Sequence, residues 1–408
     1  MSELPLSDLK VLDFSWVVAG PAIGRSLADY GATVIRIESR KKIDTARLIG
    51  PFHNGEAGPE NSALYGNVNA GKYGLTLDMS NEHARGIVLD LVRWTDVLIE
   101  SFSPGVMKKW GLDYETLKEI NPRLIMLSTS MLGNSGPYSK FAGFGNLGSA
   151  MSGIMNLAGW PDEAPKGPFG PYTDFVGPRF SIAILLAALD YAKKNGEGCY
   201  IDLSQVETGI HFIAQGVLDY FVNGHQIQRN GNADENMAPH GVYACLEENG
   251  NAPSFVAISI KNDRQWKDFA RLIGGDEFAE NPRYLRLEER KKHAEEIDGI
   301  VRQWASEITA EEAEEKLQSL KIPAHKVASI ADIYKDSQFQ HQGHFIELDH
   351  PLHQKTVVEG SRYALSETPA IVSRPAPLFG EHNDFILNGI LKYDEKHIEK
   401  LKELGVFK

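Results

Sequence analysis

The feature that most constrains this chain is the regular alternation of strand-like and helix-like runs through its first two hundred residues. Val11–Phe14 reads as a short strand, followed by a turn at Gly20-Pro21 and a helical stretch to about Tyr30. Thr33–Glu38 is rich in β-branched residues and predicts a second strand. Leu75–Met79 predicts a third, after which Ser80 is placed to cap a helix carrying Ile87, Leu91 and Trp94 on one face. Val97–Phe102 and Leu124–Thr129 continue the series. Short apolar strands separated by helices are the pattern of a parallel sheet covered by helices on both faces. The run Gly177–Lys194 is apolar almost all round and predicts a buried helix, ended by Gly196 before Tyr200–Leu203 returns as a strand.

From about Asn223 the texture changes. Asn230 to Asn236 is loop-like, and Ser254–Ile260 alternates as a strand. A charged helical region follows over Asp263–Leu320, with Thr309 and Glu312 at capping-box spacing. Val327–Ser329 and Thr356–Glu359 predict strands, and Glu395–Leu404 an amphipathic helix. The 408 residues exceed the roughly 250–300 that one core supports. The expected division is therefore a large domain beginning with 1–222, a smaller domain at 223–325, and a segment 326–408 that returns to the first. No internal repeat is visible.

Charge narrows the function. Lys plus Arg number 42 against 55 acidic residues, so the net charge is 42 − 55 = −13, which disfavours nucleic acid or an anionic membrane as a partner. Basic residues nevertheless concentrate at Arg36, Arg40, Lys41 and Lys42, and at Lys108 and Lys109, where either a solvated surface or a phosphate site is consistent. Only Cys199 and Cys245 occur, too few for a disulfide framework or a Cys-type zinc site. The opening Met1-Ser2-Glu3-Leu4-Pro5 has no signal-peptide character, and the longest apolar stretch is Phe180 to Ala188, broken only by Ser181. A membrane span needs about 20 residues, so a cytoplasmic protein is expected.

Gly143-x-Gly145-x-x-Gly148 matches a dinucleotide fingerprint on paper, but no strand runs directly into it and no acid sits at a strand end about 20 residues on, so it is read as a loop. His341-x-x-His344 and His350-x-x-His353 are interrupted by Gly343 and Pro351 and are read as surface histidines, with no metal site expected. The stretch Pro165 to Pro178 leads into the apolar helix and contains Asp174. An acid there is a helix cap or first-turn acid, or a nucleophile with backbone N–H groups nearby to stabilise an oxyanion. Local pattern leaves both open.

Six motifs in order make the chain resemble the class III CoA-transferases, the formyl-CoA transferase or carnitine CoA-transferase-like family. They are Val11-Leu12-Asp13-Phe14 with Ala19-Gly20-Pro21; Gly31 to Glu38; Lys72 with Leu75-Thr76-Leu77-Asp78; Glu100 to Gly105 with Asn121-Pro122-Arg123 after it; Asp174; and Pro377 to His382. The resemblance implies an α/β fold with a Rossmann-like large domain and a smaller α+β domain. It further implies a ring-shaped subunit in an interlocked dimer, a homodimer or a heterodimer with a related subunit. By the same resemblance Asp174 is the catalytic nucleophile, working through an aspartyl anhydride and an aspartyl-CoA thioester. Coenzyme A thioesters and carboxylic acids are the implied substrates, with no tightly bound cofactor. Ala19, Arg40, Lys72, Phe102 and Lys109 match the family's CoA contacts, Ser39 aligning as well as Arg40.

Departures from the family pattern point to the acyl group. Members acting on formyl and oxalyl groups carry His and Gln where this chain has Trp16 and Val18, which favours a larger, less polar acid. A glycine run in such members is replaced by Asp234 to Gly241, where His240 either orients a second carboxylate or is an ordinary loop residue. The sequences around Asp174 and His240 look most like the branch acting on benzylsuccinate with succinyl-CoA. Two rivals remain on the resemblance. An α-methylacyl-CoA racemase needs a His-Asp pair where Gly143-Phe144-Gly145 stands, and phenylalanine cannot move a proton. A non-catalytic subunit of a heteromeric transferase is opposed by Asp174 itself.

Overall fold

Six short strands pair into one all-parallel sheet in the order β3-β2-β1-β4-β5-β6. They are β1 (Lys10–Asp13), β2 (Thr33–Glu38), β3 (Tyr73–Thr76), β4 (Val97–Glu100), β5 (Ile125–Ser130) and β6 (Tyr200–Ser204). The computed structural model describes residues 3–141, 143–246 and 254–408. Alternate side chains of a strand point to opposite faces, and here both faces are apolar. Leu12, Ile35, Leu75, Leu98 and Met126 enter one core, while Val11, Val34, Val97, Ile99, Ile125 and Leu127 enter the other.

Helices cover both cores. They are α1 (Ala19–Ala28), α2 (Ala63–Asn69), α3 (Ala84–Trp94), α4 (Val106–Lys109), α5 (Tyr114–Lys118), α6 (Gly145–Met151), α7 (Ile154–Leu157), α8 (Tyr172–Asn195), α9 (Gln205–Phe212) and α10 (Ala214–Asn223). Ile87, Val88, Leu91 and Val92 of α3 fill the first core; Ile23 and Leu27 of α1, with Leu185, Ala188 and Ala192 of α8, fill the second.

A second compact unit comprises Asn156–Lys166 and Ile227–Asp336, the first comprising Met1–Met155, Gly167–Gln226 and Ser337–Lys408. The sequence predicts the smaller domain at 223–325; the unit ends later, at Asp336, and also takes in the 156–166 segment. It holds an antiparallel sheet β7 (His240–Ala244), β8 (Phe255–Ser259) and β9 (Ala324–Lys326). Its helices are α11 (Asp263–Ala279), α12 (Leu287–Lys292), α13 (Ala294–Ser306), α14 (Ala310–Ser319) and α15 (Ile330–Lys335). Trp266, Phe269, Val301 and Leu317 centre its own core. Back in the first unit come α16 (Ser337–His341), the hairpin β10 (Phe345–His350) and β11 (Gln354–Glu359), and α17 (Glu395–Glu403), whose Ile398 and Leu401 join the first core.

Several local expectations are corrected. Gly20-Pro21 is the first turn of α1 rather than a turn before it, a place where proline's missing N–H costs nothing. Ser80 does not cap α3; its hydroxyl donates to Asp78 at 2.6 Å and the helix starts at Ala84. The strand expected at Val327–Ser329 is Ala324–Lys326, because Ser329 is committed to a capping box with Asp332. Gly145 and Gly148 lie in α6, not in a loop. The largest correction concerns α8. It is buried on one face only, and Phe175, Phe180, Ile184, Leu186 and Tyr191 are 38–49% exposed. By length and composition α8 alone among the described helices could cross a membrane, although it carries Asp174 and packs on the sheet.

Candidate active site

In an open parallel sheet the crevice for ligands lies at the carboxyl ends of the strands, where the strand order reverses. Here that point is between β1 and β4, and a cavity of about 870 Å³ opens there within the first unit. Its wall is built by the segments that leave β1, β2, β4 and β5: Trp16 to Ala19, Ser39 with Lys41 and Lys42, Ser101 to Ser103, and Thr129 to Met131. Asp174 of α8, Gly143 to Gly145 and Gln205 close the far side.

The turn after β1 is held from both sides. Val17 stands at φ 62°, a conformation that costs a β-branched residue about 1–2 kcal/mol. Its N–H donates to Asp44 Oδ1 at 3.0 Å, and the N–H of Trp16 donates to Ser101 Oγ at 2.8 Å. These bonds offset the strain and turn Trp16 and Val18 into the cavity wall. Trp16 meets Phe102 edge-on at 5.8 Å, Phe102 meets Trp110 at 5.2 Å, and Lys42 lies 5.5 Å over the Trp16 ring. Lys41, Lys42 and Lys109 give the wall positive charge on a chain of net charge −13.

Asp174 is in the first turn of α8, 8% exposed, and its carboxylate accepts no hydrogen bond among the described residues. Of the two local readings, cap or first-turn acid, the structure shows the second, since Pro171 occupies the cap position. Burial without a compensating donor pushes its pKa up to about 6. Its neighbour across the contact is glycine by necessity. A Cβ on Gly145 would fall 2.9 Å from Asp174 Cγ and 2.6 Å from Pro171 Cβ, and one on Gly148 would fall 2.6 Å from Thr173 Oγ1. Thr173 Oγ1 donates to the Gly145 carbonyl at 3.1 Å, locking α6 onto the turn that carries the acid. The glycine pattern is thus a packing device around Asp174.

The residues singled out from sequence fall into three groups. Asp174, Trp16, Val18, Ala19, Phe102 and Lys109 line the one cavity. Lys72 and Arg40 do not. Lys72 is fully buried, and its ammonium donates to Asp13 Oδ2 at 2.7 Å, Asn69 Oδ1 at 2.8 Å and the Pro21 carbonyl at 2.8 Å. Three acceptors use its three protons, leaving none for a ligand. Desolvation brings its pKa down to about 8 despite Asp13. Arg40 turns to the Phe379 ring and carbonyl, and Ser39, its alternative, takes the place on the wall. His240 belongs to the second unit, where its Nδ1 lies 2.6 Å from the Asn232 carbonyl beside a hollow of about 290 Å³.

Sequence reasoning missed Gln205, Thr129 and Ser130, which no pattern marks, and passed over Lys41 and Lys42 although they stand in a basic cluster it noted. Of the four clustered histidines, His350 and His353 stack at 4.4 Å, and His53 stacks on His353 at 4.0 Å. Among the described residues no three His, Cys, Asp or Glu side chains gather to hold a metal.

Residues 6–383 match CoA-transferase family III. The chain is 32% identical over 387 residues to a succinate–glutarate CoA-transferase of Agrobacterium fabrum, covering 94% of this chain and 95% of that one. It is 29% identical over 399 residues to a succinyl-CoA–D-citramalate CoA-transferase of Chloroflexus aurantiacus, covering 98% and 97%. The fold superposes on the crystal structure of a CAIB/BAIF family protein from Brucella suis with a TM-score of 0.86 and 29% identity, covering 95% of this chain and 100% of that one.

Proposed function

The chain belongs to CoA-transferase family III and carries out CoA transfer, and from that premise we propose that Asp174 is the nucleophile that moves CoA from succinyl-CoA to a dicarboxylic acid. The observation that carries the reading is the state of Asp174: a carboxylate at the ligand crevice, buried, bonded to no donor, and raised in basicity by desolvation. A carboxylate deprived of solvation is a better nucleophile, which a structural acid has no reason to be.

The steps balance without an external acid or base. An oxygen of Asp174 attacks the thioester carbonyl, the C–S bond breaks, and an anhydride and CoA thiolate form. The thiolate attacks Cγ of Asp174, releasing the donor acid and leaving an aspartyl-CoA thioester. The acceptor carboxylate attacks that thioester, and the freed thiolate then takes the acceptor's acyl carbon from the new anhydride, restoring Asp174. Ser39, Lys41, Lys42 and Lys109 are positioned to meet CoA phosphates, and Ala19 and Phe102 its thioester arm.

Two lines support the acyl preference. The similar proteins of Agrobacterium and Chloroflexus are named for succinate with glutarate and for succinyl-CoA with D-citramalate. The wall of Trp16, Val18, Phe102 and Phe144 suits an acceptor with an apolar or aryl substituent, such as benzylsuccinate. Phe144 and Gly145 line the cavity with Asp174 and neither moves a proton, which opposes racemisation. We further propose the interlocked ring dimer, homomeric or with a related chain. Its support is the uncovered apolar face of α8 together with Leu218, Phe221 and Val222 of α10, which are 60–78% exposed.

The test is a screen of acceptor acids with succinyl-CoA, run on the wild type and Asp174→Ala. Turnover with benzylsuccinate or glutarate well above formate or oxalate is expected, and the variant should lose exchange while staying folded. Hydroxylamine or borohydride trapping should label a peptide containing Asp174. Near-normal turnover in Asp174→Ala would sink the mechanism.

A further inference from the structure

Asp174 attacking a thioester turns a carbonyl oxygen into an oxyanion, and a water-poor site must supply a donor for it. Asp174 has none bonded to it, so the donor must come from another part of the cavity wall. Three further polar side chains, Thr129, Ser130 and Gln205, line the same cavity. β5 and β6 run in parallel with Ser130 opposite Ser204, so Gln205, the first residue of α9, emerges beside the end of β5. The Val206 N–H donates to the Met131 carbonyl at 3.0 Å and fixes that junction. The stem of Gln205 crosses α8 at Gly177, one turn beyond Asp174, where an added Cβ would lie 3.6 Å from Gln205 Cγ.

Gln205 is 9% exposed, lines the cavity, and its carboxamide has no hydrogen-bond partner among the described residues. The hydroxyls of Thr129 and Ser130, 1% and 8% exposed, are likewise unpartnered. Native folds rarely leave a buried hydroxyl unpaired, and two of them on the cavity that Gln205 also lines are explained when the ligand is the missing partner.

We infer that the Gln205 carboxamide is a catalytic hydrogen-bond donor to the acyl oxygen, with the Thr129 and Ser130 hydroxyls completing the same polar wall. In the first step the Asp174 oxygen forms a C–O bond to the thioester carbon, the carbonyl π electrons move onto the oxygen, and the Gln205 N–H holds it. Collapse re-forms C=O and expels the thiolate, with no proton gained or lost. The inference rests on Asp174 being the nucleophile.

Gln205→Met keeps the side-chain length and removes the donor. With succinyl-CoA in a single turnover, formation of the trapped Asp174 adduct should slow about 100-fold, while CoA affinity by calorimetry stays within about threefold. Gln205→Glu, isosteric and negative toward the growing charge, should slow it at least as much and decides the matter if Gln205→Met does not fold. Thr129→Val and Ser130→Ala should each slow it about tenfold. An adduct rate within about threefold of wild type, or a fall in CoA affinity parallel to the fall in rate, overturns the inference. If the wild type forms no adduct at Asp174, the nucleophile reading fails and this inference with it; a wild-type adduct formed equally fast in the variants rejects the donor role alone.

Discussion

Asp174→Asn should abolish exchange and make the protein more stable at neutral pH. The carboxyl is 8% exposed and bonded to no donor among the described residues, and burial raises its pKa from 3.8 to about 6. Those two units, at about 1.4 kcal/mol each, amount to roughly 3 kcal/mol by which the fold disfavours the ionised acid. Below about pH 4 the acid is protonated in both folded and unfolded chains, and the penalty is absent. Between about pH 4 and 6 the unfolded chain ionises first, so wild-type stability falls as pH rises. Above about pH 6 the full penalty stands. Asparagine fills the same volume without the charge, so the variant's advantage should be near zero at pH 4, grow through that window, and level off at about 2–3 kcal/mol. Thermal scans of both proteins at a series of pH values read this directly, as a melting difference of several degrees at pH 7.5. The same ionisation should give wild-type kcat/KM a rising limb that levels above about pH 6. A variant equally or less stable at pH 7.5, or a stability difference that ignores pH, would refute the desolvation argument.

Three further outcomes follow from the geometry. Gly145→Ala places a methyl 2.6 Å from Pro171 Cβ and 2.9 Å from Asp174 Cγ, so turnover should fall about 100-fold and overpacking of about 1–3 kcal/mol should lower the melting temperature by several degrees, read by steady-state kinetics beside a thermal scan. Lys72→Met leaves Asp13 buried without its ammonium and should cost about 3–5 kcal/mol, seen as lost soluble yield, with Asp13→Asn in the same chain restoring much of it. Lys42→Ala with Lys109→Ala should raise KM for the acyl-CoA about tenfold, leave kcat within about threefold, and weaken the salt dependence of KM.

How much of this was legible in the sequence depended on whether a local pattern had a local cause. The alternation of strands and helices is such a case: β1 and β4, at the centre of the parallel sheet, are buried on both faces and so are mainly apolar, and β1, β2, β4 and β5 match their expected bounds to within two residues. The capping box at Thr309 and Glu312 forms as its spacing predicts, because both bonds are made within one turn. Ser80 failed because Asp78, two residues away, competed for its hydroxyl. Gly145 and Gly148 were unreadable because the reason for them is Thr173 and Asp174, far along the chain. Gln205 was invisible for the same reason. Nothing in its neighbourhood of sequence says that its carboxamide ends without a partner beside the end of β5.

Lys72 shows how a matched motif can mark the right region and the wrong contact. Its ammonium is the centre of a buried charge cluster in which Asp13 also faces Arg36, and Arg36 is paired with Asp44 and lies 3.6 Å from Glu38. Glu38 binds Arg47 as well, at 2.8 Å. Buried ion pairs of this kind contribute little net stability, because the desolvation cost offsets the attraction. What they do contribute is position. Asp13 ends β1 and accepts from the N–H of Ser15; Asp44 accepts from the N–H groups of Val17 and Ala46. The cluster therefore holds the segment that carries Trp16, Val18 and Ala19, and it lies next to the segment that carries Ser39, Lys41 and Lys42. Replacing Lys72 would reach CoA through those loops, as a loss of order on the wall. A residue that touched a phosphate would instead change affinity with the fold intact, and that difference separates a lysine that binds the ligand from one that holds the wall in place.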